Sequence, residues 1–195
     1  MTDPHPTVTA FQGLRRLASG TLVEVAVAVQ GAPDQHAAIL VFDDNSGAVV
    51  DLDLRGDADA VRHRYAPAAA ERPDPLRGRG RPKLGVTARE VTLLPRHWDW
   101  LAAQPGGASA ALRRLVEQAR ASSGASDAER ARRDAAYRVM AALAGDLPGF
   151  EDASRALFAK DRTRFEARLS TWPDDLRSYL IALAYGDAPA TPAGA

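Results

Sequence analysis

The chain contains no cysteine, so disulfides, zinc–thiolate centres and thiol nucleophiles are excluded together. Lysine is almost missing: Lys83 and Lys160 are the only two, and arginine carries the rest of the positive charge. No apolar run is long enough to span a bilayer. The stretch Met1–Val8 is polar and proline-bearing, unlike a signal peptide. Glycine-rich phosphate loops and a nucleophile elbow are lacking, and no Ser-His-Asp pattern stands out. The four histidines, His5, His36, His63 and His97, have no ligand spacing. These absences predict a cytoplasmic protein without a cofactor or membrane contact, and a function other than catalysis.

What is present is an uneven distribution of charge. The chain balances 25 basic against 25 acidic side chains. Residues 1–70 carry 5 basic and 9 acidic groups, net −4, and residues 71–76 carry 1 and 2, net −1. Residues 77–120 carry 9 and 3, net +6, while residues 121–195 carry 10 and 11, net −1. One segment therefore holds the whole positive excess, the pattern of a chain with a local anionic partner.

Periodicity and turn signals predict an α+β protein: a small N-terminal α/β unit, a central strand-helix-helix unit and a C-terminal helical bundle. The expected divisions are 1–65, a basic Pro/Gly/Arg linker arm at 66–83, the central unit at 84–122, helices over 126–186 and a disordered tail at 187–195. In the first part Thr7–Phe11 reads as a strand followed by Gly13 and a polar turn. Leu22–Gln30 fits both a strand and a helix, with Thr21 and Glu24 favouring a helix. Ala38–Phe42 and Ala48–Leu54 alternate as strands around Asp44-Asn45-Ser46-Gly47, a hairpin signal. Asp57–Tyr65 is a short helix.

Further along, Val86–Leu94 is a strand candidate, Pro95–Gln104 a helix opened by proline and Ala110–Ser122 a second helix. Helices follow over Asp127–Leu143, Pro148–Ala159, Asp161–Thr171 and Pro173–Ala184. Their shared core is expected to include Tyr137, Val139, Met140, Leu143, Phe150, Leu157, Phe158, Phe165, Leu169, Trp172, Leu176, Leu180 and Leu183.

Arg77-Gly78-Arg79-Gly80-Arg81-Pro82-Lys83 contains Arg-Gly-Arg-Pro, which resembles the core of an AT-hook. Glycine lets such a backbone run along the floor of a narrow A·T-rich minor groove, so that the flanking arginines extend along it. The alternative is a flexible arginine-rich linker. After it come Arg89-Glu90-Val91-Thr92-Leu93-Leu94-Pro95, Trp98 to Leu101, Gly106-Gly107-Ala108-Ser109 and Leu112–Arg120. That succession resembles the ribbon-helix-helix family of DNA-binding proteins. The resemblance implies a homodimer through residues 86–120, with an intermolecular strand ribbon in the major groove. It also implies a phosphate held by the free N–H groups of Ala108 and Ser109. Val91, Trp98, Leu101, Leu112, Leu115 and Val116 would build the dimer core.

Arg89 and Thr92 are the ribbon's candidate DNA contacts, but neither strand register presents a full set of base readers. Non-specific or A·T-biased DNA binding through the arm and the phosphates is therefore expected. The DNA-binding candidates are Arg77, Arg79, Gly80, Arg81, Pro82, Lys83, Arg89, Thr92, Ala108 and Ser109.

The whole chain also resembles an uncharacterised bacterial family, domain-of-unknown-function family 2239. The resemblance rests on Leu17-Ala18-Ser19-Gly20, Val41-Phe42-Asp43-Asp44, Asp51–Gly56, Arg79–Ala119 and Leu147–Glu151. It implies a bacterial source and no particular chemistry. Two alternatives stay open: a dimeric interaction scaffold that does not touch DNA, and a metal-dependent enzyme using Asp43, Asp44, Asp51 and Asp53.

Overall fold

The computed structural model of the protein describes residues 7–33, 38–66, 87 and 89–187. The fold is α+β, with strands β1 (Thr7–Gln12), β2 (Arg15–Thr21) and β3 (Ile39–Asp43). The helices are α1 (Leu22–Gln30), α2 (Ala58–Tyr65), α3 (Pro95–Ala102), α4 (Gly107–Ala144), α5 (Phe150–Phe158), α6 (Arg162–Leu169) and α7 (Asp174–Tyr185). Met1–Ala66 and Ser126–Ala195 form one compact unit and Pro67–Ala125 another.

In the first unit the strands pair antiparallel in the order β2-β1-β3. The central strand is buried on both faces, because each face has its own apolar cover. Val8 and Ala10 pack with Val25 and Val29 of α1 and with Val41. Phe11 and Phe42 join a larger core with Val139, Met140, Leu157, Phe165, Leu169 and Leu180. The N-terminal sheet and the C-terminal helices thus share one core.

The ambiguous segment Leu22–Gln30 is a helix, decided by a capping box at its start. The Glu24 N–H donates to Thr21 Oγ1 at 3.4 Å, and the Thr21 N–H donates to Glu24 Oε2 at 2.8 Å. The bond from the Thr21 N–H is the main cause that holds the Glu24 carboxyl below its usual range. Asp57 caps α2 and Asp161 caps α6 by the same logic of satisfying an orphan N–H.

Four expectations need correction. The segment after Gly13 is not merely a turn, since Arg15–Thr21 is a full strand paired with β1. Ala48–Leu54 is not a strand: it meets β3 only through a bridge between Phe42 and Val49. Beyond that bridge, side chains of α1 and α2 take over its backbone. The two helices expected over 110–122 and 127–143 are one, α4. Gly124 does not break it, Ser122 and Ser123 return their hydroxyls to the Ala119 carbonyl, and Glu117–Arg120 and Asp127–Arg130 pair along the surface. Phe158 and Tyr137 lie outside the buried core, at 49% and 37% exposure, stacked edge to face 5.3 Å apart.

Helix α7 is tied to the sheet by two polar contacts. The Arg16 N–H donates to Asp175 Oδ2 at 3.0 Å, and the buried Tyr179 hydroxyl donates to Asp44 Oδ1 at 2.7 Å. Burial, then the Asp44 charge, pushes the Tyr179 phenol above its ordinary range. A phenol whose folded pKa lies above its unfolded value of about 10 stabilises the fold below that pH, and this contribution fades as the solution becomes more alkaline. Tyr179→Phe is expected to cost about 1–2 kcal/mol at neutral pH. Its stability should also fall less steeply than wild type between roughly pH 9 and 11. Urea denaturation across that range checks both.

Candidate interaction surface on α3 and α4

The second unit, Pro67–Ala125, contains the segment with the positive excess. The arm residues Arg77, Arg79, Gly80, Arg81, Pro82 and Lys83 lie outside the described residues. Of the strand expected over Val86–Leu94, the described residues 87 and 89–94 form no strand. A ribbon strand takes its ladder from a second chain, and a lone strand has no hydrogen bonds to close. The chain then enters α3 with Pro95 at its first turn, where the missing N–H costs nothing.

The connection from α3 to α4 depends on Gly106 and Gly107, whose φ values of +82° and +73° are open to glycine and strained for most other residues. The Gly107 N–H donates to the Gln104 carbonyl at 2.9 Å, and Gln104 Nε2 reaches the Trp100 carbonyl at 3.3 Å. This turn places Leu101 and Ala111 in the buried interior of the unit. Among the candidate DNA contacts, Arg89, Thr92 and Ser109 are exposed and Ala108 is half-buried. Arg96, Arg113 and Arg114 add exposed cations that the motif did not single out.

Six large apolar residues of this unit are unusually exposed for their type. Val91 is 52% exposed, Leu94 48%, Trp98 40%, Trp100 52%, Leu115 39% and Val116 53%. Only Leu101 of the expected dimer core is buried within the chain, and Leu112 is half-buried. Leu93, His97, Trp100, Leu101, Leu112 and Leu115 line an open cleft of about 270 Å³. Leu93, His97 and Trp100 were not in the expected dimer core, yet they line this cleft with Leu112 and Leu115. Apolar and aromatic exposure of this kind is a feature that interaction surfaces share.

Three of the four aspartates weighed for a metal, Asp43, Asp44 and Asp53, have other work. Asp43 Oδ1 accepts from the N–H groups of Asn45 and Ser46 and from the Ser46 hydroxyl, shaping the turn. Asp44 takes the Tyr179 hydroxyl. Asp53 faces Arg55 at 2.7 Å and Arg64 at 3.6 Å, and the Arg55 hydrogen bond holds its carboxyl far below the usual range. Among the described residues no three histidine, aspartate or glutamate side chains are grouped to hold a metal ion. No described helix is long and apolar enough to cross a membrane.

The family comparison matches residues 7–184, nearly the whole chain. The protein belongs to the bacterial family DUF2239. That family is described as an uncharacterized protein conserved in bacteria. No curated protein and no solved structure matches the chain. The match spans both the sheet–helix core and the α3–α4 surface.

Proposed function

We propose that this DUF2239 protein is a homodimeric DNA-binding protein, a transcriptional regulator or a nucleoid-associated protein. In this reading residues 86–120 associate two chains in the ribbon-helix-helix manner, and the AT-hook-like arm Arg77–Lys83 supplies much of the DNA affinity. The observation that carries it is a coincidence in one segment. The six apolar side chains left open between Val91 and Val116 lie in the same stretch that holds the net charge of +6. An apolar face favours association with a second copy, and a basic surface favours phosphate.

Phosphate contacts and the arm carry the binding in this reading. The irregular segment 89–94 offers Arg89, Glu90 and Thr92 as its polar groups, a poor set for base recognition. Affinity should therefore depend on salt and on groove width more than on sequence.

Association is tested by the double substitution Leu115→Asp/Val116→Asp. Both residues are more than a third exposed in the single chain, so their replacement should leave its fold intact. Wild type is expected to sediment at twice the chain mass at micromolar concentration. The variant should show a dissociation constant raised by about a hundredfold, the size of a lost interface hot spot. Its DNA affinity should fall as well, because two arms on one duplex act together. A wild type that sediments as a single chain at all concentrations contradicts the dimer. A dimer that shifts no duplex at low salt assigns the surface to a protein scaffold.

A further inference from the structure

We propose that the cleft beneath residues 49–54 is a binding site for a small apolar amine. It belongs to the unit formed by the sheet and the C-terminal helices and is independent of the DNA-binding reading. Residues 49–56 form an arch pinned at both ends. At the first end the Val50 N–H donates to the Val41 carbonyl at 2.8 Å beside the Phe42–Val49 bridge. At the other, Gln30 Nε2 donates to the carbonyls of Leu54, at 3.3 Å, and Gly56, at 2.7 Å.

Helix α2 holds the same end. Tyr65 Oη accepts from the Asp53 N–H at 2.6 Å, and the Arg64 guanidinium donates to the Asp53 carbonyl at 2.7 Å. Between the pins the ladder with β3 opens, although residues 48–54 alternate as a strand should. The opening is a cavity of about 460 Å³. That lies in the range of small-molecule sites.

Its walls set the ligand's chemistry. Val29, Ile39, Val41, Val50, Leu52 and Leu54 supply apolar walls, and Gln30 lines the cavity beside them. Asp51 also lines the cavity, as an exposed residue at its open side, and has no hydrogen bond or ion pair to another described residue, while Asp53 two residues on is neutralised by Arg55 and Arg64. A ring or short aliphatic chain would fill the interior, and an ammonium group would pair with the exposed Asp51 carboxylate at the rim in a charge-assisted hydrogen bond.

The test uses three probes that share a phenyl ring on a short carbon linker: phenethylamine, 2-phenylethanol and phenylacetate. Titration of the full chain, followed by the amide resonances of residues 29–54, should rank the amine first, with affinity about tenfold above the alcohol. Phenylacetate should bind weakest. Asp51→Asn should bring the amine and the alcohol to similar affinity while leaving the alcohol unchanged. Val49→Trp, at a half-exposed rim position, should weaken both without unfolding the chain. Absence of binding by all three probes overturns the proposal. So does equal affinity for amine and alcohol, or an amine affinity unchanged in Asp51→Asn.

Discussion

Replacement of Gly47 by alanine is expected to destabilise the protein more than any other single methyl addition, by about 3 kcal/mol or more. Gly47 closes the turn between β3 and the arch with φ at +66°. A left-handed conformation costs an alanine about 1–2 kcal/mol by itself. The added methyl would also run into the backbone carbonyl of Ala135 on α4, and backbone cannot swing aside as a flexible side chain does. The turn has no freedom to retreat. Its Gly47 N–H donates to the Asp43 carbonyl at 2.8 Å, Asp43 Oδ1 holds Ser46 at 2.7 Å, and the Arg138 guanidinium grips the Ser46 carbonyl.

At roughly 2–4 °C per kcal/mol for a chain of this size, Tm should fall by about 6–12 °C. Gly124→Ala provides the contrast. Gly124 sits within α4 with nothing within 4 Å of the added methyl, so alanine should stabilise by about 0.5–1 kcal/mol. Thermal unfolding by circular dichroism reads both. A Gly47→Ala melt indistinguishable from wild type would contradict the docked turn.

The second large effect is expected on DNA. Arg79→Ala/Arg81→Ala should lower affinity for an A·T-rich duplex by roughly thirtyfold near physiological salt, two phosphate-neutralising charges being removed. The slope of log K against log[salt] should become shallower by about 2. The preference for A·T-rich over G·C-rich duplex should also shrink, because arginine in a narrow minor groove is its source. Arg155→Ala, an exposed arginine outside the positive segment, serves as control and should change neither quantity beyond about twofold. Equal binding by wild type and the double variant would remove the arm from the account.

Much of the fold was legible in local signals. Thr21 and Glu24 marked the start of α1, Asp57 and Asp161 capped α2 and α6, and the apolar alternation of β1 and β3 was plain. Arg15 and Arg16 hid β2, since a strand at the sheet's edge needs little apolar character and reads as a polar turn. Residues 48–54 alternate like a strand, yet Gln30, Tyr65 and Arg64 compete for their backbone from elements that no local window includes. The continuity of α4 was masked by Ser122-Ser123-Gly124, a break by composition that the ion pairs and serine hydroxyls bridge.

Long-range contacts were beyond a linear reading. Tyr179 and Asp44 are 135 residues apart, and the crowding of Gly47 against Ala135 spans 88 positions. For the candidate surface, the sequence carried the charge segregation and the apolar spacing of Leu101, Leu112, Leu115 and Val116. Whether those side chains close on themselves or stay open depends on the α3-to-α4 turn, which buries Leu101, half-buries Leu112 and leaves Leu115 and Val116 open.

The most direct test of DNA binding is fluorescence anisotropy of a labelled A·T-rich duplex titrated with the full-length wild-type chain between about 50 and 200 mM salt. Saturable binding is predicted, with log K falling linearly with log[salt] at a slope of about −3 or steeper, the signature of several released counterions. No change in anisotropy at the lowest salt, or an affinity indifferent to salt, would contradict it.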